Sequence, residues 1–299
     1  MSVKREKRVK KLSLKSEDRD GYLVSKEMKE IWQVQLDLFE QFAKVCDRHN
    51  IDYTLDGGSL LGAIRHKGYV PWDDDIDVAL MRDQYEKFLK YAKKELKPPY
   101  FIQNERTEPE YYRQYTQLRR SDTTAIIKVD LQYNYNCGIS IDIFPLDKVP
   151  DDLTKRKKFL DKISFIRRLF LHDDGNMAKK MFQFIIKPRY LIKYCAKLIQ
   201  KYNNEDTMEC GKLGFRPYTK LRKTSWLKKG NFIKVPFEYL EAKITKNYDE
   251  YLTRLYGDYM TPPKLKTVGI GTGHGKTFFD TRHSYLYYKD KKEEVAQKL

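Results

Sequence analysis

The segment Trp72-Asp73-Asp74-Asp75-Ile76-Asp77-Val78-Ala79-Leu80 places four carboxylates within five residues. Such charges repel one another unless a cation or a basic ligand compensates them. Side chains alternate along a strand, so in an extended segment Asp75 and Asp77 point to one face while Ile76, Val78 and Leu80 point into a core. Ile139-Ser140-Ile141-Asp142-Ile143 repeats this grammar, with three isoleucines on one face and Asp142 on the other. If the two strands are neighbours, three carboxylates meet. Hard oxygen ligands suit Mg²⁺ or Mn²⁺, and two such ions about 3.5–4 Å apart clamp a phosphoryl group while activating an incoming hydroxyl. The expected chemistry is phosphoryl or nucleotidyl transfer. A solvated acidic turn beside an ordinary strand-edge acid is the plainer alternative, and the apolar alternation on both segments argues against it.

Gly57-Gly58-Ser59 precedes a short helical segment ending at Arg65. Free N–H groups at a helix start favour an anion, and glycine lets the backbone approach a phosphate closely. Alone, this tripeptide marks a turn; about 16 residues ahead of the acidic pair it becomes informative.

These residues need elements to hold them. Met28, Ile31, Trp32, Phe39, Phe42, Ala43 and Cys46 recur at helical steps behind Ser25, a plausible N-cap, and the helix should end near His49-Asn50. Asp83 and Glu86 have the spacing of a capping box for a helix closed by Pro98-Pro99. Residues 100–104, 112–119 and 138–144 read as strands, and 152–171 as a helix. The basic, apolar stretch 176–203 reads as one or two amphipathic helices broken near Pro188, either lying on a membrane surface or packed on the core. Short strands over 207–244 and a helix at 247–256 ending at Gly257 follow. The organisation expected is a basic mobile tail at 1–24, a catalytic core at 25–171, a helical insertion at 172–206, completing strands and helix at 207–290 and a frayed charged tail at 291–299.

The 299 residues include 59 Lys plus Arg against 42 Asp plus Glu, a formal charge of +17. That balance favours polyanions, anionic headgroups or phosphorylated substrates without choosing among them. No run approaches the roughly 20 apolar residues of a membrane span, and no signal peptide is expected. The four cysteines have no CxxC spacing and fit reduced thiols in the cytoplasm. The five histidines show no paired spacing for zinc. Gly269 to Thr277 fails both the Walker and the dinucleotide spacing and reads as a flexible loop, with His274 or Lys276 as candidate lid contacts. Tyrosines 111, 112, 115, 133 and 135 are either strand formers or the lining of a sugar or choline site.

The run from Leu55 through Asp56-Gly57-Gly58-Ser59-Leu60-Leu61-Gly62 to Trp72-Asp73-Asp74-Asp75-Ile76-Asp77-Val78 resembles the signature of the LicD family. Ile141-Asp142-Ile143-Phe144-Pro145-Leu146-Asp147 resembles its second motif, and Asn247-Tyr248-Asp249 through Met260 with Pro262-Pro263 its third. After Pro263 this chain departs from the family pattern. The resemblance implies an α+β, DNA polymerase β-like nucleotidyltransferase fold, with a mixed sheet, flanking helices and a helical insertion. It implies transfer of a phospho-alcohol, phosphocholine first, from a CDP-alcohol to a hydroxyl of a cell-surface glycan, a teichoic-acid or lipopolysaccharide precursor, with release of CMP. On the same analogy Asp75 and Asp77 bind metal, and Asp142 is a metal ligand or the base that takes the acceptor proton. Gly57, Gly58 and Ser59 would hold donor phosphates, and Arg65, His66 and Lys67 would neutralise the diphosphate. Mg²⁺ or Mn²⁺, two ions, is the expected cofactor. The acceptor is expected to be lipid-linked and the protein cytoplasmic, peripheral at the inner face of the membrane, with no specific nucleic acid partner. Competing readings are a nucleotidyltransferase that moves NMP from NTP, and a noncatalytic basic module for nucleic acid or membrane.

Overall fold

The computed structural model describes residues 12–171, 181, 185–218, 220–263 and 276–299. A hairpin of β1 (Glu17–Arg19) and β2 (Tyr22–Val24) comes first. It replaces the latter part of the mobile tail expected over 1–24, of which residues 1–11 lie outside the described residues. Arg19 donates to Glu238 at 2.6 Å, and the nearly inaccessible ammonium of Lys29 donates to Glu17 at 2.6 Å.

Helix α1 (Lys26–Arg48) begins where Ser25 Oγ accepts from the Met28 amide at 3.2 Å, and it buries the expected apolar stripe. Trp32 stacks on Tyr69 with ring centres 4.4 Å apart. After β3 (Thr54–Leu55) come α2 (Gly57–Arg65), β4 (Asp77–Met81) and α3 (Arg82–Glu95). The capping box at α3 does not form: Met81 is the cap, with no side-chain bond, and Glu86 instead receives Arg106 at 2.6 and 2.7 Å. Strands β5 (Tyr100–Gln103), β6 (Thr116–Arg120) and β7 (Thr124–Ile127) lead to the long β8 (Ile139–Lys148).

Strand β8 organises the sheet. Its register with β4 is parallel, and with β6 antiparallel over its first half; β9 (Glu209–Gly211) takes over antiparallel at Asp147 and Lys148. With β3, β5 and β10 (Arg222–Lys223) this makes a mixed seven-stranded sheet covered by helices, an α+β arrangement. Helix α4 (Leu153–Phe170) and α5 (Pro188–Leu198) build a separate small core around Phe159, Leu160, Ile163, Leu191, Ile192 and Cys195. The helical signal breaks at Ile186 and Lys187, as expected near Pro188, and Pro188 stands in the first turn of α5, where its missing N–H costs nothing. Residues 172–180 and 182–184 of the expected insertion lie outside the described residues.

The hairpin β11 (Phe232–Phe237) and β12 (Leu240–Thr245) is followed by α6 (Tyr248–Tyr256), closed by Gly257 at φ 69°. Strand β13 (Thr277–Asp280) pairs antiparallel with β7, and α7 (Lys292–Lys298) buries Val295, so the charged C-terminus is docked rather than frayed. Among the described residues no helix is long and apolar enough to cross a membrane, and all four cysteines are buried free thiols.

Candidate active site

Asp77 is the first residue of β4, and its register partner on the parallel β8 is Asp142. The backbone pins this pair: the Asp142 amide donates to Ile76 O at 2.9 Å, and the Asp56 amide to Asp77 O at 2.9 Å. Gln117, opposite Asp142 on β6, donates from Nε2 to Asp142 Oδ1 at 2.8 Å. Asp75 lies in the extended loop before β4, outside the strand expected from 72 onward. Ile76, Val78 and Leu80 do enter the core, as the alternation required. Trp32 Nε1 and Gln35 Nε2 from α1 hold the carbonyls of Asp73 and Asp74 at 2.8 and 2.6 Å. The loop is thereby folded so that carboxylate oxygens of Asp73, Asp74 and Asp75 lie within 4.8 Å of one another. Asp73 and Asp74, unassigned from the sequence, thus join the cluster.

Burial, then the neighbouring acids, push Asp75 and Asp77 well above the usual carboxylate range, and Asp142 contributes to both shifts. Asp73 is pushed up to about 7 by burial and by Asp77 and Asp74. The glycines ahead of the loop are needed for this approach. A Cβ on Gly58 would sit 2.3 Å from Asp73 Oδ2, and one on Gly57, at φ +51°, would sit 3.5 Å from Asp77 Oδ2. Gly57 and Gly58 line the cleft, where the opening N–H groups of α2 lack intrahelical partners. Ser59 is buried and accepts the Asp77 amide at 2.8 Å, so it braces the acid rather than facing a ligand.

The cleft has a volume of about 900 Å³. Opposite the acids stand Arg65, Arg113, Lys212 and Arg216, with aromatic faces from Tyr112, Tyr115 and Tyr256. Arg65 donates to Tyr259 O at 2.7 Å and to His66 Nε2 at 2.9 Å. His66 and Lys67 are not brought to the cleft: His66 turns its Nδ1 to Asp20 at 2.7 Å, and Lys67 is exposed at φ +56°. Burial lowers the His66 pKa, with the adjacent Arg65 charge acting in the same direction. Of the five tyrosines singled out, Tyr112 and Tyr115 line the cleft, whereas Tyr111 and Tyr135 are buried in the cluster around Tyr288 and Val295, with Tyr133 packed against it. Lys276 is exposed and Thr277 opens β13; His274 lies outside the described residues.

Sequence reasoning missed the support beneath α2. Asp56 stands at the N-cap of α2 but its side chain makes no capping bond; fully buried, it accepts from Arg222 at 2.7 Å and Tyr251 at 2.8 Å and pairs with Lys212 at 2.8 Å. Those partners outweigh its burial and hold its pKa well below the usual range. Lys212 also packs over the Phe144 ring, and its charge opposes the rise of the Asp77 pKa, linking this network to the cluster. Asp56 stood inside the recognised motif, but Gln117, Lys212, Arg222 and Tyr251 carried no local signal.

The class follows from comparison with known proteins. Residues 50–183 match the family model described as LicD/FKTN/FKRP, nucleotidyltransferase domain. Over this domain the chain is similar to the LicD family. It is 29% identical over 242 residues to the lipopolysaccharide cholinephosphotransferase LicD of Haemophilus influenzae, covering 77% of this chain and 90% of that one. It is also 36% identical over 73 residues to an uncharacterised protein of Rickettsia prowazekii, covering 24% of this chain and 26% of that one.

Proposed function

We propose that this LicD-type phosphotransferase moves a phospho-alcohol, phosphocholine first among candidates, from a CDP-alcohol to a hydroxyl of a cell-surface glycan. The observation that carries the reading is the pairing of Asp77 with Asp142 at the floor of a glycine-bounded cleft. The similarity to a cholinephosphotransferase supports the choice of transferred group. The mixed sheet with α2 between β3 and β4 supports the polymerase β-like assignment of the fold.

The residues present fit a divalent cation. The donors are hard oxygens, those of Asp73, Asp74 and Asp75 lying within 4.8 Å of one another, and the repulsion they share with Asp77 and Asp142 is of the kind a cation relieves. Asp75, Asp77 and Asp142 would hold Mg²⁺ or Mn²⁺, with Asp73 and Asp74 beside them. When bound, the metal supplies Lewis-acid neutralisation of phosphoryl charge. The protein's own groups do the rest. The α2 amides at Gly57 and Gly58 receive a phosphate, Arg65 adds positive charge, and the cleft tyrosines suit a quaternary ammonium group. Gln117 orients Asp142, which takes the proton of the acceptor hydroxyl as its oxygen bonds to the phosphocholine phosphorus. The phosphorus–oxygen bond to the CMP phosphate breaks, and CMP leaves with the electron pair.

The test is product identity. Purified protein with Mg²⁺, CDP-choline and a lipopolysaccharide acceptor should release CMP and give a choline-bearing glycan by ³¹P NMR. Pyrophosphate from CTP, with no CMP from any CDP-alcohol, would point to nucleotidyl transfer instead.

A further inference from the structure

Helix α5 lies away from the carboxylates and packs Leu191, Ile192 and Cys195 against α4. The exposed residues of α5 and of the segments flanking it have an unusual composition. Between Asp174 and Glu205 the chain has no acidic residue over 30 positions, where its average acid content would place about four. Every exposed residue from 185 to 201 is either a cation or a large apolar or aromatic side chain. The cations are Lys187, Arg189, Lys193, Lys197 and Lys201, and none of them pairs with a carboxylate of another described residue. The others are Ile185, Ile186, Tyr190 and Tyr194; Ile185 is 78% exposed and Tyr190 55%. Tyr190 and Tyr194 stand one turn apart, and Lys162 of α4 lies 5.7 Å from the Tyr194 ring centre.

We propose that this face docks the protein on an anionic lipid bilayer. A face kept only for solubility would mix acids and small polar groups among its lysines, and this one has neither. A nucleic acid or other soluble polyanion would use the cations but gain nothing from two exposed isoleucines. A bilayer uses both: aliphatic side chains enter the headgroup boundary, tyrosines suit its mixed polarity, and each nearby Lys or Arg adds attraction to anionic lipid. A groove of about 800 Å³ on the flank of α5, lined by Arg106, Arg189, Lys193 and Lys197 together with Glu105, gives room for headgroup phosphates. This face is separate from the cleft, and its binding to lipid is independent of whether the cleft transfers phosphocholine.

Flotation of the full chain with vesicles tests it, comparing pure phosphatidylcholine with phosphatidylcholine containing phosphatidylglycerol at about 0.1 M salt. Binding should be confined to the anionic vesicles and weaken at higher salt. Tyr190→Asp with Tyr194→Asp, and separately Lys193→Glu with Lys197→Glu, should each reduce partitioning by at least about tenfold with the melting temperature unchanged. Failure of the wild type to float with anionic vesicles, or equal flotation with neutral ones, overturns the proposal. So does an undiminished tyrosine variant in a protein that binds soluble polyphosphate as tightly as vesicles, which would make the face a polyanion site.

Discussion

Two groups of carboxylates, Asp56 fully buried and Asp73, Asp75 and Asp77 half-buried, flank the start of α2 and meet opposite fates. Asp56 is surrounded by Arg222, Lys212 and Tyr251, and its pKa is held far below the ordinary range. Nineteen residues on, the strongest influences on Asp75, after burial, are other carboxylates, and its pKa is driven upward. The fold therefore has the means to neutralise a buried acid and applies them at Asp56. At Asp73, Asp75 and Asp77 it concentrates negative charge at the wall of an open cleft instead. The first arrangement anchors a helix; the second is suited to a charge that comes from outside.

The two groups should respond differently to removal. Asp77→Asn should lower CMP release about 1,000-fold while leaving the metal-free melting temperature unchanged or raised, because it removes a repelled charge. Asp56→Ala should do the reverse in kind, costing about 3–5 kcal/mol in denaturant unfolding by leaving the buried Arg222 and the half-buried Lys212 without their acid. Equal destabilisation by both variants would erase the distinction.

They should also titrate with opposite sign. The folded pKa of Asp56 is depressed, so its contribution is present above the unfolded value near 4 and is lost as pH falls toward the folded value. The folded pKa values of Asp73, Asp75 and Asp77 are raised, so their contribution is present below about 4 and is lost as pH rises toward about 7 and beyond. A bound cation would offset that second loss. Mg²⁺ should accordingly raise the melting temperature more at pH 8 than at pH 5.5, a difference that Asp77→Asn should shrink. A pH-independent Mg²⁺ effect would place the ion elsewhere.

Smaller effects sharpen the boundary of the site. Gly58→Ala drives a methyl group against the Asp73 carboxylate, whose side chain must swing aside, so the apparent metal affinity should fall several-fold with little change in unfolding. His66→Asn and Lys67→Ala should alter CMP release by less than about twofold, since neither side chain reaches the cleft.

What the sequence revealed follows from the range of the interactions involved. Alternation along a strand and the cap at Ser25 are local, so the core faces of β4 and β8 and the start of α1 were readable. Pairing partners were not: β13 finds β7 some 150 residues earlier, and Arg222 reaches Asp56 from 166 positions away. Local signals also misled where tertiary contacts took the residues elsewhere. Glu86 left its capping box for Arg106, His66 turned to Asp20, and the polar stretch before Ser25 folded into a hairpin tied to Glu238. The acidic loop kept Asp73 and Asp74 with Asp75 because Trp32 and Gln35 hold their carbonyls, a constraint no spacing rule contains.

Whether the carboxylate cluster beside α2 holds a divalent cation is tested most directly by Mn²⁺ binding followed by electron paramagnetic resonance. Wild-type protein should show saturable Mn²⁺ binding that Asp56→Asn weakens only modestly and Asp77→Asn and Asp142→Asn abolish. Undiminished binding in the Asp77 and Asp142 variants would contradict a cation held there.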